Sequence, residues 1–164
     1  AWFVAVCILV TLPYWDAGRH ILTSTILYAQ KVRNNPSLFS LLAAATGDTI
    51  AIGMAATLLA ALSLWLAWRR AEPLRASYLQ LAALLLLSVT VHPWYVTWLV
   101  PFLCFFPNPA FLLWTSTVLL SYHVLIDYNT LGLWHFDPWL TWLEYLPVYG
   151  LLLWRGWRRY RLGG

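Results

Sequence analysis

Charged side chains are scarce in this chain, and cysteine is nearly absent. Asp, Glu, Lys and Arg together make up 10% of the 164 residues, whereas a soluble domain carries about 25%. So few charges cannot cover a water-facing surface, which excludes a soluble enzyme and a disordered tail. Cys7 and Cys104 each lie inside an apolar run. Two such cysteines exclude a disulfide scaffold, and we interpret both as small hydrophobic side chains.

Apolar and aromatic residues take the place of the missing charge. The chain is 62% hydrophobic and contains 12 Trp, and its mean hydropathy is +0.68. Tryptophan is enriched where transmembrane helices meet the two bilayer interfaces. We therefore predict an all-α, multi-pass membrane protein whose residues 1–164 form a single transmembrane domain. Because the chain starts at Ala1 rather than Met, we expect this domain to be part of a larger membrane protein.

Apolar runs of membrane length divide the chain into spans. A helix needs about 20 mostly apolar residues to cross a bilayer. The sequence predicts about six spans by this criterion, of which the first is incomplete and the fourth is interrupted near Pro101. They cover residues 1–12, 50–68, 74–91, 94–106, 110–126 and 138–154.

The basic residues predict the orientation. One group lies in the loop after the second span and the other forms the C-terminal tail: Arg69, Arg70 and Arg75, then Arg155, Arg158, Arg159 and Arg161. Cytoplasmic loops of membrane proteins carry an excess of Lys and Arg. We therefore expect a cytoplasmic C-terminus and interpret the tail as a topology anchor, with no nucleic-acid partner. Segments 14–49 and 127–137 then lie outside, together with the corner His92-Pro93.

The outer segment 14–49 has a pattern of its own. Leu22, Ile26, Ala29 and Val32 recur at helical spacing, which predicts an amphipathic helix over 18–32 lying along the membrane surface. Residues 34–37 break it. A second short helix is expected over 38–45, with Ser37 as its N-cap, and Gly47 should end that helix. Asp48-Thr49 should cap the following span.

Signatures of soluble enzymes are absent from the sequence. It contains no Gly-rich phosphate loop, no His-Glu-x-x-His and no paired Cys-x-x-Cys. His135-Phe136-Asp137 offers only two potential metal ligands, so we interpret it as a surface loop. The sequence thus predicts no metal and no cofactor.

Polar residues on the outer side are the candidate site. His92-Pro93-Trp94-Tyr95 is either an interfacial aromatic belt or a polar wall for a lipid phosphate, where a protonated His would favour the anion. Asp16 either caps the surface helix or belongs to the site.

Two further polar features lie inside the predicted spans. Thr117, Ser121 and His123 form a stripe that predicts interhelical hydrogen bonds. Glu144 lies within the last span, where an ionisable group has either a functional role or a buried partner. Because a carboxylate facing lipid is costly, we expect Glu144 to point into the bundle, towards Ser121 or His123.

Three stretches resemble the C-terminal half of bacterial membrane glycosyltransferases of the GT-C superfamily, in particular the polyprenol-phosphate-mannose-dependent family. The first is Leu12-Pro13-Tyr14-Trp15-Asp16-Ala17-Gly18, which continues to Asn35-Pro36-Ser37-Leu38-Phe39. The second is His92-Pro93-Trp94-Tyr95 with Trp98 and Pro101, and the third is Trp142-Leu143-Glu144-Tyr145 with Pro147. They follow one another in order over nearly the whole chain.

The resemblance implies an inverting transferase in the bacterial plasma membrane. It would transfer a mannose-like sugar from a polyprenyl-phosphate donor to a lipid or glycan acceptor on the outer face. The family's catalytic base is an Asp in the first outer loop, which matches no residue here, so we expect this chain alone to be inactive. The residues expected to contact substrate are His92, Tyr95, Trp94, Asp16, Lys31 and Glu144. Lys31, Arg33, Arg19 and His92 could stabilise the phosphate leaving group.

A non-enzymatic role is the alternative. A transporter, a lipid flippase or a structural subunit would also be rich in apolar spans. Transporters often contain inverted repeats and broken helices at mid-membrane, whereas here the polar residues gather on one side. An acidic residue in an upstream outer loop would favour the enzyme, and a second copy of the helix pattern would favour transport.

Overall fold

The computed structural model describes residues 2–18, 20, 23–24, 27, 33–133 and 137–162. Over these residues the regular structure is helical, apart from one isolated β-bridge between Asn34 and Thr90. The chain forms two compact units, Ala1–Arg33 and Asn34–Gly164. The predicted all-α class is therefore confirmed for the described part of the chain.

The first unit begins with helix α1, Trp2–Thr11, which runs into a 3₁₀ helix, Leu12–Ala17. None of the α1 side chains is buried. Most of the predicted surface helix over 18–32, including Arg19 and Lys31, lies outside the described residues.

The second unit contains the remaining helices. In chain order they are α2 (Leu38–Thr46), α3 (Asp48–Trp68), α4 (Pro73–Leu86), α5 (Pro93–Val96), a 3₁₀ turn (Thr97–Leu99), α6 (Val100–Leu103), α7 (Pro109–Thr117), a 3₁₀ segment (Val118–Tyr122), α8 (His123–Leu131) and α9 (Pro138–Leu162).

Proline and capping residues determine where several helices begin. Pro73, Pro93 and Pro109 each occupy the first turn, where the missing N–H is tolerated. The Glu72 carboxylate accepts hydrogen bonds from Leu74 N and Arg75 N at the start of α4. Asn108 accepts from Ala110 N at the start of α7, so the predicted turn at 107–109 also caps the next helix.

Within the described residues, two helices have the length and hydropathy of membrane spans, Asp48–Trp68 and the continuous run Pro109–Leu131. At about 1.5 Å per residue, 21 residues of α3 extend about 30 Å, the thickness of a hydrocarbon core. These helices match the predicted spans 50–68 and 110–126. The total of six spans stays a prediction.

The predicted span 74–91 is shorter than expected, because its helix ends at Leu86. Beyond it, Ser88 Oγ donates to Thr90 O and the Val91 N–H donates to Asn34 O. These bonds tie the segment after α4 to the residues before α2. The 94–106 stretch is divided between α5, a 3₁₀ turn and α6, which begins next to Pro101.

Ser37 occupies the predicted N-cap position of α2, whereas the N-cap residue of α3 is Gly47 rather than the predicted Asp48-Thr49. α2 follows Ser37 and ends before Gly47, which has φ +83°, as expected. Ser37 Oγ, however, makes no cap bond and donates to Leu86 O. Asp48 lies in the first turn of α3, where its carboxylate is favourable for the helix dipole.

Two buried clusters form the core of the second unit. The larger one joins α4, the α5–α6 segment, α7 and α9 around Trp114, Leu99 and Val148. The smaller one packs Phe39 of α2 against Ala51 and Ala55 of α3. The segment before α2 and the segment before α5 meet beside α9, and the candidate site lies there.

Candidate functional site

Residues 34–37, the asparagine loop, are at the centre of the site. Asn34 O accepts from Val91 N at 2.7 Å, which ties the loop to the segment before α5. Asn35 has φ +51°, a left-handed conformation that Asn adopts more readily than most other L-residues. Asn34, Asn35 and Ser37 are all buried, although each is polar. A buried polar loop of this kind has to be hydrogen-bonded from several sides.

Glu144 of α9 is 1% exposed and is bound by the asparagine loop. Asn35 Nδ2 donates to both carboxylate oxygens, at 3.0 Å to Oε1 and 2.9 Å to Oε2. Trp114 Nε1 of α7 donates to Oε1 at 2.9 Å. The prediction that Glu144 points into the bundle is confirmed, but its partners are Asn35 and Trp114 rather than Ser121 or His123.

Two tyrosines of α9 complete the attachment of the loop. Tyr145 Oη donates to Asn35 O at 2.9 Å, and Tyr149 Oη donates to Ser37 Oγ at 2.8 Å. The Ser37 hydroxyl in turn donates a hydrogen bond to Leu86 O at the end of α4. The loop is therefore hydrogen-bonded to α9 at Asn35 and Ser37, and to the end of α4 at Ser37.

His92 and its neighbours form an aromatic corner, which consists of His92, Trp94, Tyr95 and Trp98. The His92 ring stacks on Trp94 with centroids 4.3 Å apart and meets the edge of Tyr95 at 5.4 Å. Tyr95 in turn contacts Trp98 at 4.8 Å. Trp94 and Trp98 are each 50% exposed. The corner therefore presents flat aromatic surface outward, as residues at a membrane interface do.

The hydrogen bond from Asn34 determines which ring nitrogen of His92 carries the proton. Asn34 Nδ2 lies 2.6 Å from His92 Nδ1, and because an amide nitrogen only donates, Nδ1 is the acceptor. The proton of the neutral ring is then on Nε2. Burial lowers the pKa of the His92 imidazole below its ordinary value. His92 in the free protein is thus a neutral donor rather than the cation expected from the sequence.

An apolar cavity of about 570 Å³ lies beside the asparagine loop. Pro36, Ser37 and Leu41 line one side, and Trp142, Tyr145 and Tyr149 line the other. The space is therefore bounded by the loop and by the same part of α9 that binds it.

The structure joins most of the predicted site residues. His92, Trp94 and Tyr95 lie together, and adjacent residues of one loop, Asn34 and Asn35, connect His92 to Glu144. Asp16 is exposed at the end of the 3₁₀ helix in the other unit. Lys31 lies outside the described residues.

Sequence reasoning missed Asn34, Asn35, Trp114, Tyr145 and Tyr149. From the sequence, residues 34–37 are predicted as a helix break, and Asn35 and Tyr145 are named only within the stretches that carry the resemblance. Two adjacent asparagines before a Pro could have indicated a loop with polar side chains available for hydrogen bonds. Trp114 sits in an apolar run, where nothing marks its ring N–H as a buried donor.

The stripe of Thr117, Ser121 and His123 does not make the predicted interhelical bonds. Ser121 Oγ donates to Val118 O within its own segment, and Thr117 Oγ1 is buried without a partner among the described residues. His123 Nδ1 lies 2.9 Å from Leu120 O, and its Nε2 accepts from Asp137 N at 3.0 Å. Small hydroxyls reach the preceding turn more easily than a neighbouring helix.

No group of three His, Cys, Asp or Glu side chains that could hold a metal occurs in the part of the chain that the structure describes. Of the weak motif His135-Phe136-Asp137, the first two residues lie outside that part.

Among the described residues, two helices are long and apolar enough to cross a bilayer, and one of them, Pro109–Leu131, supplies Trp114 to the buried carboxylate of Glu144. These are features of a helical membrane protein. Residues 38–154 match the family model of the MptB C-terminal domain. The chain belongs to this family, which is related to mannosyltransferases. The matched range includes the aromatic corner, Trp114 and Glu144, and it begins directly after the asparagine loop. No curated protein and no solved structure gave a significant match.

Proposed function

We propose that this chain forms the donor-binding part of a membrane glycosyltransferase. The enzyme transfers a mannose-like sugar from a polyprenyl-phosphate donor to a lipid or glycan acceptor on the outer face of the bacterial plasma membrane. The observation that carries the proposal is the Asn34–His92 hydrogen bond. In a chain of a mannosyltransferase-related family, it holds an imidazole with its Nε2 proton available at an aromatic, interfacial corner.

The chemistry of the donor suits such a corner. When the sugar leaves, negative charge develops on the polyprenyl phosphate, and fixed hydrogen-bond donors stabilise that charge. A neutral His92 gives one donor through Nε2, and a nearby phosphate would favour protonation of the ring. Trp94 and Tyr95 hold the corner at the level of lipid headgroups.

The apolar cavity beside the loop suits the other end of the donor. Its walls are mainly aromatic and aliphatic, with Trp142, Leu146 and Leu153 contributed by α9. An isoprenoid chain has no polar groups, so an apolar groove next to a polar corner matches its amphipathic character.

Glu144 has a positioning role in this proposal. Its carboxylate is buried and already accepts from Asn35 and Trp114, so it does not contact the donor. It holds Asn35, and the adjacent Asn34 then holds His92. Asp16 and Lys31 stay predictions as donor contacts, and so does a cytoplasmic C-terminus.

The test is His92→Ala in the complete enzyme, assayed for transfer from a radiolabelled polyprenyl-phosphate sugar. Removing one such donor typically lowers turnover by about a hundredfold. Size-exclusion chromatography and a melting curve establish that the variant is folded.

His123→Ala is the matched control, because His123 is also partly buried and hydrogen-bonded, but its bonds are to Leu120 O and Asp137 N rather than to the asparagine loop. It should keep turnover close to wild type. Wild-type turnover in folded His92→Ala would reduce the corner to an interfacial belt. Absence of transfer by the wild-type enzyme would favour the non-enzymatic alternative.

A further inference from the structure

A second cavity, the arginine cavity, lies between α4, the turn before α7 and the C-terminal half of α9. It has a volume of about 720 Å³. Its lining includes Arg75 in the first turn of α4 and Arg155 of α9. Arg155 follows Glu144 by about 16 Å along the helix. The arginine end of the cavity thus lies away from Glu144, whereas the lining extends along α4 to Leu86, which accepts from Ser37 of the asparagine loop. Nothing in the proposed transfer reaction uses the arginine end.

An aromatic wall forms the inner side of the arginine cavity. Tyr78 stacks on Phe106 with centroids 5.4 Å apart and meets Phe111 edge-on at 6.0 Å. Phe105 is 66% exposed, although it is a large apolar side chain that also lines the cavity. Such a surface is suited to bind apolar chains, because removing apolar surface from water is favourable.

The charged side chains that line the cavity, among the described residues, are basic. Arg75 and Arg155 line it, and none of the described lining residues is acidic. Arg158 and Arg161, further along α9, lie over the rings of Trp154 and Trp157 at 5.0 and 4.0 Å. Among the tail arginines whose side chains the structure describes, Arg155 is the one that lines the cavity. A pair of guanidinium groups above an apolar wall matches a phosphate that carries hydrocarbon chains.

The position also favours a lipid. Phe111, which lines the cavity, belongs to the start of the apolar run Pro109–Leu131, and Asn108, another lining residue, directly precedes that run. The arginines therefore lie at the end of a membrane-length helix, where headgroups are expected.

We propose that the arginine cavity binds an anionic phospholipid, with its phosphate between Arg75 and Arg155 and its acyl chains against Tyr78, Phe105 and Phe106. This site is separate from the donor site and does not depend on the transferase activity.

The test is native mass spectrometry of the full chain in detergent, titrated with phosphatidylglycerol or with phosphatidylcholine of the same acyl chains. Phosphatidylglycerol should bind more tightly, and Arg75→Gln/Arg155→Gln should weaken it by about 25-fold, at about fivefold for each basic residue near an anionic headgroup. Arg158→Gln/Arg161→Gln removes the same charge outside the cavity and should leave the affinity within about twofold of wild type.

Equal affinity of the wild-type chain for the two lipids would overturn the proposal without any variant. An equal loss in the two double variants would also overturn it, because general charge rather than the cavity would then explain binding. Displacement of the lipid by equimolar glycerol phosphate would show that the ligand is a soluble phosphate instead. The cavity arginines are exposed or partly exposed, so both variants should fold.

Discussion

The side-chain amide nitrogen of Asn35 donates to the carboxylate of Glu144, 109 residues later in the chain. The two Nδ2–O distances, 3.0 and 2.9 Å, are nearly equal, so one nitrogen bridges the two oxygens. Trp114 supplies a second donor group from another helix. An acidic residue deep in an apolar protein is costly when it is unpaired, and here donors from two separate elements surround it.

Glu144→Gln should destabilise the protein, although it hardly changes the side-chain volume. The glutamine amide oxygen can replace Oε1 as the acceptor of Asn35 Nδ2 and Trp114 Nε1, but its NH2 group then replaces Oε2 and faces Asn35 Nδ2, which is itself a donor. A buried donor left without its acceptor costs about 1–3 kcal/mol. Melting curves of the detergent-solubilised chain should show a clearly lower Tm.

Glu72→Gln is the control for that change. Glu72 is exposed, and glutamine can still accept from Leu74 N or Arg75 N. Its Tm should move much less. A Tm for Glu144→Gln equal to that of the control would contradict a buried acceptor role for the carboxylate.

Asn35→Ala should be more damaging than Asn35→Gly. Both substitutions remove the amide that binds Glu144. Glycine adopts the left-handed backbone at φ +51° without strain, whereas the Cβ atom of alanine makes this conformation unfavourable. That conformation costs an L-residue about 1–2 kcal/mol. The difference in unfolding free energy between the two variants measures this backbone term. Variants of equal stability would show that the loop relaxes to another conformation.

Lowering the pH should loosen the asparagine loop. Burial depresses the pKa of His92, so the neutral ring contributes stability above the ordinary histidine pKa, and this contribution is lost as the pH falls through the folded-state pKa. Protonated Nδ1 can no longer accept from Asn34. Hydrogen exchange of residues 34–37 should accelerate between about pH 7.5 and about pH 5.5, after correction for intrinsic rates.

His92→Gln removes the titrating group and should abolish that pH dependence. If the dependence persists in His92→Gln, another group is responsible and the Asn34–His92 bond does not control the loop.

The orientation can be tested by labelling single cysteines with an impermeant maleimide in intact cells, after Cys7 and Cys104, both exposed, are replaced by serine. Thr130→Cys should be labelled and Arg70→Cys should not, because arginine-rich loops are retained in the cytoplasm. Both positions are exposed, whereas Ser37 in the outer segment is too buried to react well. Labelling of Arg70→Cys alone would reverse the topology.

The sequence predicts the helices better than the contacts between them. The spans 50–68 and 110–126 follow from uninterrupted apolar runs, and the burial of Glu144 follows from the cost of a carboxylate in lipid. Its partners do not follow. Asn35 is 109 residues away, and no local periodicity connects positions so far apart.

Ser37 illustrates the same limit at short range. Its place before a helix favours a side-chain cap. Its hydroxyl instead donates to Leu86 O and accepts from Tyr149 Oη. Tertiary partners outweigh the local preference because the loop is buried between α4 and α9. Only the packed structure supplies that information.

The chain order of the Glu144 partners matters for how the protein is made. Asn35 and Trp114 both precede Glu144, and a nascent chain emerges from its N-terminus. When α9 is synthesised, the groups that accommodate its carboxylate have therefore already been made. The charged side chain of α9 can then be paired as soon as this helix packs against the earlier part of the chain.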